Sequence, residues 1–161
     1  MQHSPRHQLV ESRIAVCGVD LGQSKPGGAY ASLVEDRGTV QVSGMIPSLD
    51  GRVVATGRVG AEVSLDDARR AAEIAVLRCL NALRDRLGDL GRIRRVTKLT
   101  VYLQAAPGFT AIGDVSNAAS QLLDRVLDPH GEHARTTVGV SMLPRDAVLE
   151  LDMTVTVDPA A

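Results

Sequence analysis

A chain of 161 residues, 44% of them hydrophobic, with a formal net charge of −1, has the size of one globular domain. Its acidic and basic residues are interspersed, which argues against the basic stripe of a nucleic-acid binder; the densest positive cluster, Arg92, Arg94, Arg95 and Lys98, reads as the solvated edge of a strand. No apolar run approaches the length of a membrane span or of a secretory leader, so the expectation is a soluble cytoplasmic protein.

The core must be built from small side chains, since the chain holds one Phe, two Tyr and no Trp. Such a core gains from oligomerisation. Cys17 and Cys79 stand alone and far apart, and His3, His7, His130 and His133 lack ligand spacing. Neither a disulfide framework nor a metal or cofactor site is expected.

In chain order, residues 1 to about 10 are polar and expected to be disordered, 11–22 to form a turn of helix, and 23–28 to be a loop. An N-terminal extension, 1–27 and partly disordered, thus precedes a single domain over 28–158. Two short strands, 30–34 and 39–42, flank a hairpin turn at Asp36-Arg37-Gly38, and Asp50-Gly51 marks another tight turn. Ser64 caps a helix whose Ala68, Ala72, Val76, Cys79, Leu80, Leu83 and Leu87 recur at helical spacing; Gly88 or Gly91 ends it. A half-buried strand follows over 99–104, then a helix over 112–127 stopped by Asp128-Pro129.

The last two strands alternate most strictly. Over 148–157, Leu149, Leu151, Met153, Val155 and Val157 are apolar and the even positions polar; over 135–142 the even positions Thr136, Val138, Val140 and Met142 take the apolar face. The order β-β-α-β-α-β-β is that of an α+β domain with two helices on one face of a sheet. If the short connection 143–146 joins the last two strands as an antiparallel pair, Glu150 faces residue 139 or 141. Arg135 and Glu150 of one chain then lie more than about 12 Å apart. Residues serving one small substrate from those positions must belong to different chains.

The string His133-Ala134-Arg135-Thr136-Thr137-Val138-Gly139-Val140-Ser141-Met142-Leu143-Pro144, followed by Val148-Leu149-Glu150-Leu151-Asp152, resembles the C-terminal signature of the reactive-intermediate deaminases, also called endoribonuclease L-PSP proteins. Tyr30, the segment Ser43-Gly44-Met45-Ile46-Pro47 and Asn117 resemble further family positions, so the likeness spans about 28–157. Thr137 stands where active members commonly have cysteine, and Met45 where glutamine is frequent. The N-terminus and the segment before the first long helix are longer, as in a divergent branch.

The resemblance implies a chorismate-mutase-like fold with a mixed sheet, a homotrimer, and sites in clefts between subunits that hydrolyse imines or enamines to a keto acid and ammonia. The residue types suit that chemistry. A guanidinium, Arg135, grips a substrate carboxylate through two parallel hydrogen bonds that lysine cannot supply. An iminium carbon needs a positioned water and proton handling rather than a metal, which fits Glu150, with Tyr30 donating a hydrogen bond. Asn117, Thr137, acting through its backbone, and Ser43 and Gly44, where the chain can approach a ligand closely, complete the candidate substrate-binding set. Two other readings are a non-catalytic trimeric module binding small carboxylic acids, and a ribonuclease.

Overall fold

The computed structural model describes residues 4–22 and 28–159; the loop expected over 23–28 lies outside them except for Gly28. The fold is α+β, built on a five-stranded sheet ordered β1-β2-β7-β5-β6. The strands are β1 (Leu33–Asp36), β2 (Thr39–Met45), β5 (Ile93–Gln104), β6 (Ala134–Val140) and β7 (Leu149–Val157), and a small hairpin pairs β3 (Ser48–Leu49) with β4 (Arg52–Val53). Helices α2 (Leu65–Leu87) and α3 (Ile112–Leu127) pack against each other on one face of the sheet.

Local chemistry explains the boundaries. Ser64 accepts a hydrogen bond from Asp67 N at the start of α2, and Asp66 and Asp67 favour its positive end. Gly88 ends the helix in the left-handed conformation, φ 70°. The expected apolar stripe of α2 is buried throughout, with Leu80 and Leu83 inaccessible to solvent. Both turns form where expected, with Arg37 and Gly38, then Asp50 and Gly51, at positive φ, and the second joins the small β3–β4 hairpin.

The expectation of disorder to residue 10 fails for residues 5–10. Helix α1 (Pro5–Ala15) is capped by Ser4, has Pro5 in its first turn, and buries His7, Val10 and Ile14. Its outer side is polar, but Glu11 takes a bidentate ion pair from Arg84 of α2 at 2.7 and 2.8 Å. Leu90 N donates to His7 Nδ1 at 3.0 Å. The helix therefore shares the core of the domain.

A second correction concerns the last hairpin: β6 and β7 are not neighbours. Strand β5 lies between them, parallel to β6 and antiparallel to β7. Neither residue 139 nor 141 faces Glu150; its partners are Tyr102 across β5 and the bulged end of β2. The face of β6 is also opposite to the one expected. Arg135, Thr137 and Gly139 pair with the buried Leu99, Val101 and Leu103, so they share the helix side, whereas Val138 pairs with Tyr102 on the open side. As an edge strand, β6 turns its odd residues to the polar rim of α3 rather than to the hydrophobic centre. Its polarity pattern consequently reports neighbours other than the core.

Candidate functional site

Arg135 rises from the edge strand towards α3. Its Nη1 donates to Ser120 Oγ at 2.8 Å and its Nη2 to Asn117 Oδ1 at 3.0 Å. Residues 117 and 120 are one helical turn apart and share a side of α3. Ser120 Oγ also meets His133 Nε2 at 2.9 Å, and His133 Nδ1 contacts the carbonyl of Gly131. A carbonyl only accepts, so Nδ1 carries a proton, and in the neutral ring Nε2 then accepts from Ser120. The chain His133–Ser120–Arg135 fixes the guanidinium plane and leaves further N–H groups for a ligand. Thr137, two residues on, shares this side, and its Oγ1 is buried with no hydrogen-bond partner among the described residues.

Glu150, Tyr30 and Gly44 meet elsewhere, in a groove of about 680 Å³ with walls that include Met45, Ile46 and Pro144. Strand β2 bulges between Val42 and Met45, which delivers Gly44 to the groove. A Cβ on Gly44 would overlap the Glu150 carboxylate, so the absence of a side chain there sets that carboxylate's position. Ser43 lies beside the groove: its Oγ donates to Ala31 O at 2.7 Å, tying down the segment that carries Tyr30. The Tyr30 ring is exposed and its hydroxyl has no partner among the described residues. Burial pushes the Glu150 carboxyl above the ordinary glutamate value, and neighbouring Asp152 adds to the rise. The groove thus holds a carboxyl of raised proton affinity together with a phenol.

The structure therefore divides the expected residues into two groups: Arg135, Asn117 and Thr137 at the β6 edge, and Tyr30, Ser43, Gly44 and Glu150 around the groove. Arg135 pairs with Leu99 on one flank of β5 and Glu150 with Tyr102 on the other. Two strand spacings and the step from Leu99 to Tyr102 put their Cα atoms roughly 14 Å apart, on opposite faces of the sheet. Ser120 and His133 escaped the sequence reading. Their signals are the helical spacing from Asn117 and the strand spacing from Arg135, which become informative only once α3 is known to flank β6. Among the described residues no group of three or more His, Cys, Asp and Glu side chains is placed to hold a metal ion, and no helix is long and apolar enough to cross a membrane.

The family model described as endoribonuclease L-PSP matches residues 22–157. Protein TCP17 of Trypanosoma cruzi is 36% identical over 150 residues, covering 89% of this chain and 94% of its own. The crystal structure of Atu1372, a protein of unknown function from Agrobacterium tumefaciens, superposes with a TM-score of 0.89 at 35% identity, covering 96% of each chain. The fold also matches E. coli TdcF with bound serine, at a TM-score of 0.59 and 23% identity over 87% of this chain and 98% of that one.

Proposed function

The chain belongs to the endoribonuclease L-PSP family, and from that membership we propose that it hydrolyses small 2-imino or enamino acids to the keto acid and ammonia in a homotrimer, in clefts between subunits. The observation that carries the reading is the division of the site: a built guanidinium clamp on one edge of the sheet and an acid–phenol groove too far away to share its ligand within one chain. A neighbouring subunit's groove completes the clamp.

In such a cleft Arg135 holds the substrate carboxylate through its remaining N–H groups. Water adds to the carbon of the protonated imine, the iminium, as one of the water protons passes to the Glu150 carboxylate. The resulting amino alcohol then collapses: Glu150 returns the proton to nitrogen, the C–N bond breaks, ammonia leaves, and the hydroxyl proton is released as the carbonyl forms. Tyr30 donates a hydrogen bond to the substrate or the water. Asn117 and Ser120 hold Arg135 in plane, and Thr137 and Gly44 shape the two sides. The test is keto-acid and ammonia release from freshly generated 2-iminobutyrate. Wild type should accelerate it, and a folded Arg135→Ala protein should not, with Arg135→Lys recovering little because it lacks the planar fork. Turnover near wild type in Arg135→Ala would reject the clamp.

The serine bound in TdcF favours one second reading, a module that binds small amino or keto acids without turning them over. Ligand binding without imine hydrolysis would establish it. Nothing at this surface favours RNA cleavage: Arg92 pairs with Glu35, Arg94 with Asp158, and Lys98 donates to Thr136 Oγ1, so much of the basic cluster is engaged internally.

A further inference from the structure

The groove that holds Tyr30 and Glu150 also holds two arginines that the hydrolysis just described leaves idle. Arg78 comes from α2, where its neighbours Leu77 and Cys79 are buried, and Arg145 from the turn before β7. Arg78 Nη1 donates to Ser48 O at 3.2 Å and Arg145 Nη2 to Gly51 O at 2.7 Å. Both guanidinium groups thus hold carbonyls of the β3–β4 hairpin. Among the described residues the hydrogen-bond partners of both guanidinium groups are these carbonyls, although Asp50 and Glu150 line the same groove.

Two features show that this placement is built. Arg78 is half-buried, and burial lowers its proton affinity below that of an ordinary arginine; a desolvated cation held only by a carbonyl is a cost that a bound anion relieves. Arg145 sits at φ 57° and Asp146 at φ 56°, a left-handed step through two non-glycine residues. Such strain persists only where the surroundings enforce it. Gln104 Nε2 to Asp146 Oδ1 at 2.6 Å and Gly57 N to Asp146 O at 2.9 Å provide that enforcement. The step aims the Arg145 side chain back over the groove towards Gly51.

We propose that Arg78 and Arg145 form a second anion subsite, and that the preferred substrates are imines of amino dicarboxylic acids, with the second carboxylate seated between these two guanidinium groups. This specificity rests on the cleft reading above, in which the first carboxylate goes to Arg135 of the neighbouring subunit. The apolar groove wall of Met45, Ile46 and Pro144 then spans the short carbon chain between the two charged ends.

The experiment compares hydrolysis of 2-iminoglutarate with that of 2-iminobutyrate, together with calorimetric binding of 2-oxoglutarate and 2-oxobutyrate. Wild type should favour the dicarboxylate in both measurements by about tenfold or more, the size of one charge-assisted hydrogen-bond pair. In Arg78→Met and in the more exposed Arg145→Gln, each checked for native melting behaviour, that ratio should collapse towards unity. Equal use of both imines by wild type, or a preference that survives in a folded variant of either arginine, would overturn the subsite. Failure to hydrolyse either imine would reject the proposed reaction alone: tighter binding of 2-oxoglutarate that is lost in Arg145→Gln would still establish the subsite, and its absence would refute it.

Discussion

The chemistry of single residues turns on Glu150. Burial first and Asp152 second hold its carboxyl above the ordinary glutamate value. Where the carboxylate is the working form, a raised value means that form is present only at higher pH. kcat/KM for imine hydrolysis should therefore fall as pH drops through the raised value, before the ordinary range is reached. Asp152→Asn removes the nearby charge and should move this acid limb to lower pH; an unmoved limb in the pH–rate profile would show that another group titrates. The same shift means the folded chain binds this proton more tightly than the unfolded chain. Glu150's contribution to stability is therefore full below the ordinary value and declines as pH rises through the raised one. Gly44 supplies an independent probe, because a Cβ there would displace the Glu150 carboxylate while the flexible end of that side chain can swing aside. Gly44→Ala should melt close to wild type yet lose roughly ten- to a hundredfold in kcat/KM. Unchanged turnover would show that the observed carboxylate position is not the working one.

Among the elements, α2 and α3 were the most legible, because long amphipathic periods and their caps report directly on burial. Leu83 is inaccessible on the inner face of α2 whereas Arg69 pairs with Asp66 near its start. Leu83→Ala should cost about 2–5 kcal/mol in denaturant melts and Arg69→Ala less than about 0.5. Helix α1 is hard to see in the sequence because its low hydrophobicity hides three inward residues, His7, Val10 and Ile14, and the Ser4-Pro5 start. Its docking is testable: Val10→Ala should cost roughly 1–3 kcal/mol, where a disordered terminus would show none. Strand β7 could be read because both of its neighbours are strands and every odd residue faces the core. Strand β6 could not, because an edge strand beside a polar helix rim has no single hydrophobic side. The candidate residues Arg135, Glu150, Tyr30 and Gly44 were legible from motif spacing, but their separation into two groups required the sheet order. That order is a non-local property which alternation within one strand does not contain.

At the scale of the whole molecule, the open face of the sheet and its free β6 edge make the case for association. Val34 is 61% exposed, Val138 39% and Met142 76%, on or beside a face that carries Thr100, Thr136, Thr154 and Thr156 as well as Lys98, Tyr102, Glu150 and Asp152. Small β-forming side chains and unpaired edge groups suit burial against copies of the same sheet. The expected assembly is a homotrimer, and a monomer by sedimentation at micromolar concentration would reject it. A sharper prediction concerns which chain supplies which residue. Arg135→Ala and Glu150→Gln should each be nearly inactive as homotrimers. When the two are unfolded together and refolded as mixed trimers, a cleft formed by Arg135 of one chain and Glu150 of the next regains both groups wherever an Arg-intact chain is followed by a Glu-intact one. In a closed ring this happens at about a third of the clefts of every mixed trimer. Partial recovery towards that level is the outcome required by the separation of Arg135 and Glu150 across β5. No recovery, with mixed trimers verified by native mass spectrometry, would mean that the two residues do not act on one substrate, because their positions within a single chain already exclude a shared site there.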